Sequence, residues 1–109
     1  MTSNPRFYLI FYVPPPFLIL CKEAIFDAGA GCIPDQSLYT ECCWSVIGTG
    51  QFRPGPTADP HIGEAGSAKA VETPEVRVET LCVGEEVVRA AVQALKRLVH
   101  DTLCKNSIA

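Results

Sequence analysis

One octapeptide divides this chain. Gly48-Thr49-Gly50-Gln51-Phe52-Arg53-Pro54-Gly55 follows the apolar run Cys42-Cys43-Trp44-Ser45-Val46-Ile47 and concentrates conformationally special residues more densely than any other stretch. Glycine opens backbone conformations that other residues avoid, and proline closes most of them, so a helix cannot propagate through it. An element has to end here. The apolar, aromatic segments lie before it. A loop rich in Gly, Pro and Ala lies after it, followed by a strand and a long amphipathic helix.

The segments on either side follow from side-chain periodicity. Phe7 to Val13 is β-branched and aromatic throughout, which predicts a strand. Phe7, Leu9, Phe11 and Val13 fall on one face and Tyr8, Ile10 and Tyr12 on the other, so both faces ask to be covered. That pattern favours a central strand, or a sheet whose second face meets another subunit. Pro14-Pro15-Pro16 ends the strand and presets a helix start. Phe17 to Ala28 is expected to be helical, with Leu18, Cys21, Ile25 and Ala28 at core spacing and Gly29 as the left-handed stop. Ile19 and Leu20 leave that stripe, giving either a wider buried face or an exposed apolar spot.

Tyr39 to Ile47 alternates well enough for a second strand, with Trp44 as a core anchor. The Gly-rich stretch is then a strand-end turn or bulge, opening a long excursion through Ala70. Glu75 to Val83, after Pro74, predicts a third strand with Val76, Val78 and Cys82 facing one way. Glu85 to about His100 is the clearest helix. Val88, Ala91, Val92, Leu95, Leu98 and Val99 form its stripe, with acids at its start and Lys96, Arg97 and His100 near its end, as the helix dipole favours. The order strand, helix, strand, strand, helix is α+β: a ferredoxin-like βαββα(β) sandwich without an evident final strand.

The chain has 109 residues, the size of one domain with a two-layer core. A net charge of −3 and scattered Lys and Arg argue against a nucleic-acid binder. The apolar stretch from Phe7 to Cys21 is split by its prolines into pieces too short to span a bilayer, which argues against a membrane protein. Six cysteines occur without Cys-x-x-Cys or paired His spacing. Reduced, mostly buried thiols in a cytoplasmic protein are therefore favoured over a disulfide framework or a zinc site.

Candidate chemistry is sparse. Gly48-Thr49-Gly50-Gln51 resembles a phosphate cradle only superficially, because it lacks the Gly-Lys-Ser/Thr of a P-loop and the third glycine of a dinucleotide loop. Thr49, Gln51 and Arg53 are nonetheless the candidate ligand-binding residues, with Arg53 the one cation available for an anion. His61, near Asp59 and Glu64, could join Glu64 in holding a metal or could simply be a solvated loop residue. No Gly-x-Ser-x-Gly elbow occurs, so no catalytic residue is assigned. The sequence leaves the cofactor unknown.

Several separated motifs together carry a family resemblance. Phe11-Tyr12-Val13-Pro14, Lys22-Glu23-Ala24-Ile25-Phe26, Ala28-Gly29-Ala30-Gly31, Tyr39-Thr40-Glu41-Cys42-Cys43-Trp44, Gly48 to Gly55, His61-Ile62-Gly63 and Val78-Glu79-Thr80-Leu81-Cys82 occur in this order. Over about residues 7 to 99 the chain resembles the small stand-alone proteins of the NIF-three-like type. These look like the domain inserted in the larger NGG-interacting-factor-three proteins, which also carry the label GTP cyclohydrolase type two. The resemblance implies a fold like nitrogen-regulatory PII, CutA and the regulatory domain of ATP phosphoribosyltransferase. Such folds usually assemble as trimers, so self-association is the expected partnership.

The resemblance implies a non-catalytic oligomeric module that binds a small ligand, metal or protein, rather than an enzyme. In the larger relatives, His, Asp and Glu residues of a flanking core hold metal ions, and this chain does not match that core. The alternatives are a metal-dependent hydrolase of the GTP cyclohydrolase type, or a truncated, defective family member. The family's His-Pro-Tyr-Glu-Glu-like turn and last strand have no clear counterpart in Val99-His100-Asp101-Thr102-Leu103-Cys104. Residues 1–109 are expected to form a single domain with an atypical tail from 100. Without a fourth strand, Phe7 to Val13 would be an open apolar edge.

Overall fold

The computed structural model describes residues 4–33, 39–55 and 69–99. Three strands and two helices organise them: β1 (Arg6–Val13), α1 (Leu18–Asp27) after a single 3-10 turn at Pro15–Phe17, β2 (Trp44–Phe52), β3 (Val71–Val83) and α2 (Glu85–Leu98). The strands form one antiparallel sheet in the order β1-β3-β2. β3 is the central strand, and β1 is an edge among the described residues.

Register fixes which residues share a face. β1 pairs with β3 from Arg6↔Val83 to Val13↔Val76, and β2 pairs with it from Trp44↔Glu79 to Phe52↔Val71. Directly opposed residues point the same way. Val76, Val78, Thr80 and Cys82 therefore lie beside Phe7, Leu9, Phe11 and Val13, facing the helices. Val13, Val76, Val78 and Cys21 form one buried cluster, with Phe17, Leu18, Leu95 and Leu98 packed around it. Ile25, Ala30, Cys82 and Ala91 form the other, closed by Phe7, Leu9, Phe26 and Val88. The helices cover this face alone, so the core is a two-layer one.

The predicted helices hold. Cys21 and Ile25 are buried as their spacing requires, and Gly29 has the expected positive φ of 104°. Ile19 and Leu20 are the exposed apolar spot. Glu85 and Glu86 occupy the first turn of α2, and Lys96 and Arg97 the last. Glu85 is also paired with Arg89 one turn on, an exposed pair that adds little to stability.

The second strand needs correction. It was expected over Tyr39 to Ile47, but it starts at Trp44 and runs straight through Gly48-Thr49-Gly50-Gln51-Phe52. The octapeptide is therefore strand for most of its length, and only Arg53 onward leaves the ladder. At position 50 the carboxylate end of Glu75 lies across the place a Cβ would occupy, but that flexible side chain can move aside. The third strand also begins earlier than predicted, at Val71, and includes Pro74. At that position β3 has lost its β1 neighbour, so the missing proline N–H can face an unpaired side.

Trp44 is not a core anchor. It is about half exposed, on the sheet face opposite the helices. Tyr8, Ile10 and Tyr12 share that open face, so the second face of β1, expected to need a cover, lies bare among the described residues. His61, Glu64, His100 and the region expected to supply a last strand lie outside the described residues.

Candidate functional site

Two surfaces combine functional side chains. The first is the open sheet face, whose composition follows directly from β-strand alternation. Arg77 and Glu79 stand side by side on β3, and an Arg77 Nη2–H donates to Glu79 Oε1 at 2.7 Å. Across the strands, Tyr12 and Val46 flank Arg77, while Ile10 and Trp44 flank Glu79; Tyr8 lies opposite Leu81. Apolar residues thus flank the ion pair on both neighbouring strands, while Glu75 follows Arg77 on the same face toward the end of the sheet. The two side chains of the pair are 40% and 33% exposed, so the pair alone contributes little to stability. The Arg77 Nε is sealed from solvent and has no hydrogen-bond partner. Desolvating a donor without an acceptor costs about 1–3 kcal/mol.

Beyond the last β1–β3 pair, β2 and β3 continue as a two-stranded arm from Gly48↔Glu75 to Phe52↔Val71. Five pairs at about 3.4 Å per residue extend it roughly 17 Å past β1. The sequence-predicted ligand residues fall here. Thr49 and Gln51 point to one side of this arm, opposite Pro74 and Glu72, and both are exposed. Arg53 follows the strand and is exposed as well. The structure aligns Thr49 and Gln51 along one strand face, with no enclosing wall around them among the described residues.

The second surface is a half-open cleft of about 320 Å³ between the end of α1 and the segment before β2. Glu23, Asp27, Glu41, Thr40, Cys32 and Phe26 line it. Its walls are stapled by backbone bonds. Gly31 N–H donates to the Leu81 carbonyl at 2.8 Å, and Cys42 N–H donates to the Gly31 carbonyl at 3.1 Å. The buried Thr80 hydroxyl then donates to the Cys42 carbonyl at 2.8 Å. Glu41 takes a positive φ of 56° at this join.

The sequence gives none of these cleft residues a site role, although Glu23, Phe26, Thr40 and Glu41 belong to the motifs that carry the family resemblance. A second signal is Glu23 and Asp27 one helical turn apart, which places both on one face of α1. Among the described residues, no three His, Cys, Asp or Glu side chains come close enough to hold a metal ion. The metal expectation for His61 and Glu64 lies outside the described residues. Burial pushes the thiols of Cys21 and Cys82 up, keeping both protonated at neutral pH and unsuited to nucleophilic work. No described helix is long and apolar enough to cross a membrane.

The fold and its surfaces define a small α+β module with one covered and one open sheet face. Comparisons with known proteins then give its kinship. A protein from Mycobacterium leprae described as a GTP cyclohydrolase 1 type 2 homolog is 40% identical over 91 residues, 84% of this chain and 22% of its own length. A Bacillus subtilis protein of the same description is 36% identical over 93 residues, 85% of this chain and 23% of its own length. The crystal structure of a Bacillus cereus protein related to NIF3 superposes with a TM-score of 0.62 at 29% identity, over 86% of this chain and 23% of that one. No family model matches. The chain is thus similar to NIF3-related proteins at 34–41% identity to the curated ones, and it spans about a fifth of their length.

Proposed function

We propose that this chain is a non-catalytic PII/CutA-like module that acts by self-assembly, as a trimer or another homo-oligomer, and by holding a small ligand, metal or protein partner. The observation that carries this reading is the open sheet face, where Tyr8, Tyr12, Trp44, Ile10 and Val46 flank one ion pair. Apolar area of this kind is stabilised by leaving water, and in an isolated copy nothing described covers it. The strand order supports the fold reading. In a ferredoxin-like sheet ordered 4-1-3-2, setting the last strand aside leaves the order β1-β3-β2 found here.

Sedimentation velocity at micromolar concentration tests the assembly. The reading predicts a multiple of the 11.8 kDa chain mass, and a single 11.8 kDa species would overturn it. The ligand part of the reading falls on Thr49, Gln51 and Arg53, which the arm presents to solvent. Residues 1–109 act as one unit in this reading, in the cytoplasm, where reducing conditions suit the thiols.

A second reading draws on the relatives' description as GTP cyclohydrolase 1 type 2 homologs. Incubation with GTP in the presence of divalent metal, followed by nucleotide chromatography, decides between them. Unchanged GTP fits the non-catalytic module, and turnover that rises with protein concentration would replace it.

A further inference from the structure

The outward side of α1 carries one stripe made of two kinds of residue. Ile19, Glu23 and Asp27 follow at intervals of four, and Leu20 stands three before Glu23, so all four share one helical face. Ile19 is 62% exposed and Leu20 45%, and Glu23 and Asp27 are exposed as well. The stripe therefore opens with an apolar pair and ends in two acids. It is about 12 Å long at about 1.5 Å per residue, a span that roughly four residues of extended chain cover. It leads into the cleft of about 320 Å³, where Glu41 adds a third carboxylate and Phe26 forms part of the wall.

Charge decides what fits here. None of Glu23, Asp27 and Glu41 has an ion pair or a side-chain hydrogen bond among the described residues. Lys22 is the only cation on α1, and it pairs with none of them. Three carboxylates open to solvent repel an acidic partner and attract a basic one. A single metal ion is a poor match, because no three described acids, histidines or cysteines come close enough to share one. Carboxylates spread around a cleft suit positive charges that are spread too. A guanidinium meets a carboxylate with two parallel N–H donors and can lie against an aromatic ring, and the cleft offers both carboxylates and Phe26.

We propose that the α1 stripe and its cleft form a docking site for an extended segment of a different protein, in which apolar residues are followed within a few positions by arginines. The apolar residues of that segment cover Ile19 and Leu20, and an arginine enters the cleft among Glu23, Asp27 and Glu41. The apolar end supplies area withdrawn from water, and the acidic end sets direction and selects charge. This deepens the partner-holding part of the reading above. It is independent of the self-assembly surface, which lies on the opposite side of the sheet from α1.

Fluorescence anisotropy tests the docking with a short labelled peptide of two leucines followed by three arginines. A matched peptide has glutamine in place of each arginine. The wild type is expected to bind the first peptide saturably, and more weakly as salt rises from about 50 to 300 mM, because exposed charges are screened. Glu23→Gln combined with Asp27→Asn should weaken binding about fivefold or more, the change expected from removing two exposed ion pairs. Leu20→Ser should weaken it as well. Both acids are exposed, so the double variant should keep the wild-type urea midpoint.

Equal binding by the wild type and the double variant, or equal binding of the two peptides, would overturn the proposal. Absence of saturable binding at millimolar peptide would overturn it too, and the self-assembly reading would stand, because sedimentation velocity tests that separately. If spermine binds as tightly as the peptide and Leu20→Ser changes neither, the cleft is a small-cation site and the docking fails. If the double variant sediments differently from the wild type without peptide, the occupant is another copy of the chain and the proposal fails. Should the double variant not fold, the comparison of the two peptides on the wild type decides.

Discussion

Gly31→Ala should destabilise the protein strongly, and the reason lies in the junction between α1 and the central strand. Gly31 has φ of 78°, a left-handed conformation that costs a residue with a Cβ about 1–2 kcal/mol. A Cβ built there would lie 2.6 Å from the Cys42 nitrogen and 2.7 Å from the Cys42 carbonyl oxygen. Both are backbone atoms, so a rotamer change cannot relieve the clash. The Cys42 segment has to move away. Its bond to the Gly31 carbonyl would then weaken, and the buried Thr80 hydroxyl would lose the Cys42 carbonyl as its acceptor. Each such loss is worth about 1 kcal/mol, or more where a buried donor is left alone.

The combined effect is about 2–4 kcal/mol, which in a domain of this size lowers Tm by roughly 10 °C or more. Gly48→Ala is the matched control. It lies in regular strand with no heavy atom within 4 Å of the added Cβ, so its effect should stay within about 0.5 kcal/mol. Urea unfolding followed by circular dichroism measures both variants. Equal midpoints for Gly31→Ala and the wild type would refute the stapled junction.

Two further outcomes follow from individual side chains. Burial raises the Cys21 and Cys82 thiols above the ordinary value of 9.0, so the folded chain keeps protons that the unfolded chain releases first. Their contribution to stability is complete below about pH 9 and is lost as pH rises through the folded-state values. The urea midpoint should therefore fall between pH 9 and 10, less so in Cys82→Ala, and a rise over that interval would contradict the assignment. Arg53→Ala should leave the unfolding midpoint within about 0.5 kcal/mol of wild type, because Arg53 is exposed, but should weaken binding of inorganic phosphate measured by calorimetry. Phosphate affinity equal to wild type would remove Arg53 from any anion site.

The sequence made some elements legible and hid others for identifiable reasons. The stripe from Val88 to Leu98 gives α2 because helical period is a long-range, redundant signal. Alternation on β3 gives its buried face, since Val76, Val78 and Cys82 are covered by both helices. The extent of β2 was not legible, because Gly48 and Gly50 carry turn character and only their pairing with Glu75 and Thr73 makes them strand. Trp44 misled for a related reason. Its size suggests burial, whereas strand register decides which face it takes, and a register shift reverses that choice. The acidic cleft was hidden because Glu23 and Glu41 are distant in sequence and meet only through the bonds between Gly31, Leu81 and Cys42.

The account stands or falls on whether the open face is covered, and the chain contains its own reporter. Trp44 is the sole tryptophan, and it lies on that face beside Glu79. Acrylamide quenching of its fluorescence should therefore depend on protein concentration. The account predicts weak quenching and blue-shifted emission at tens of micromolar, giving way on dilution to strong quenching and red-shifted emission as copies separate. Strong quenching that stays unchanged at every concentration would contradict it.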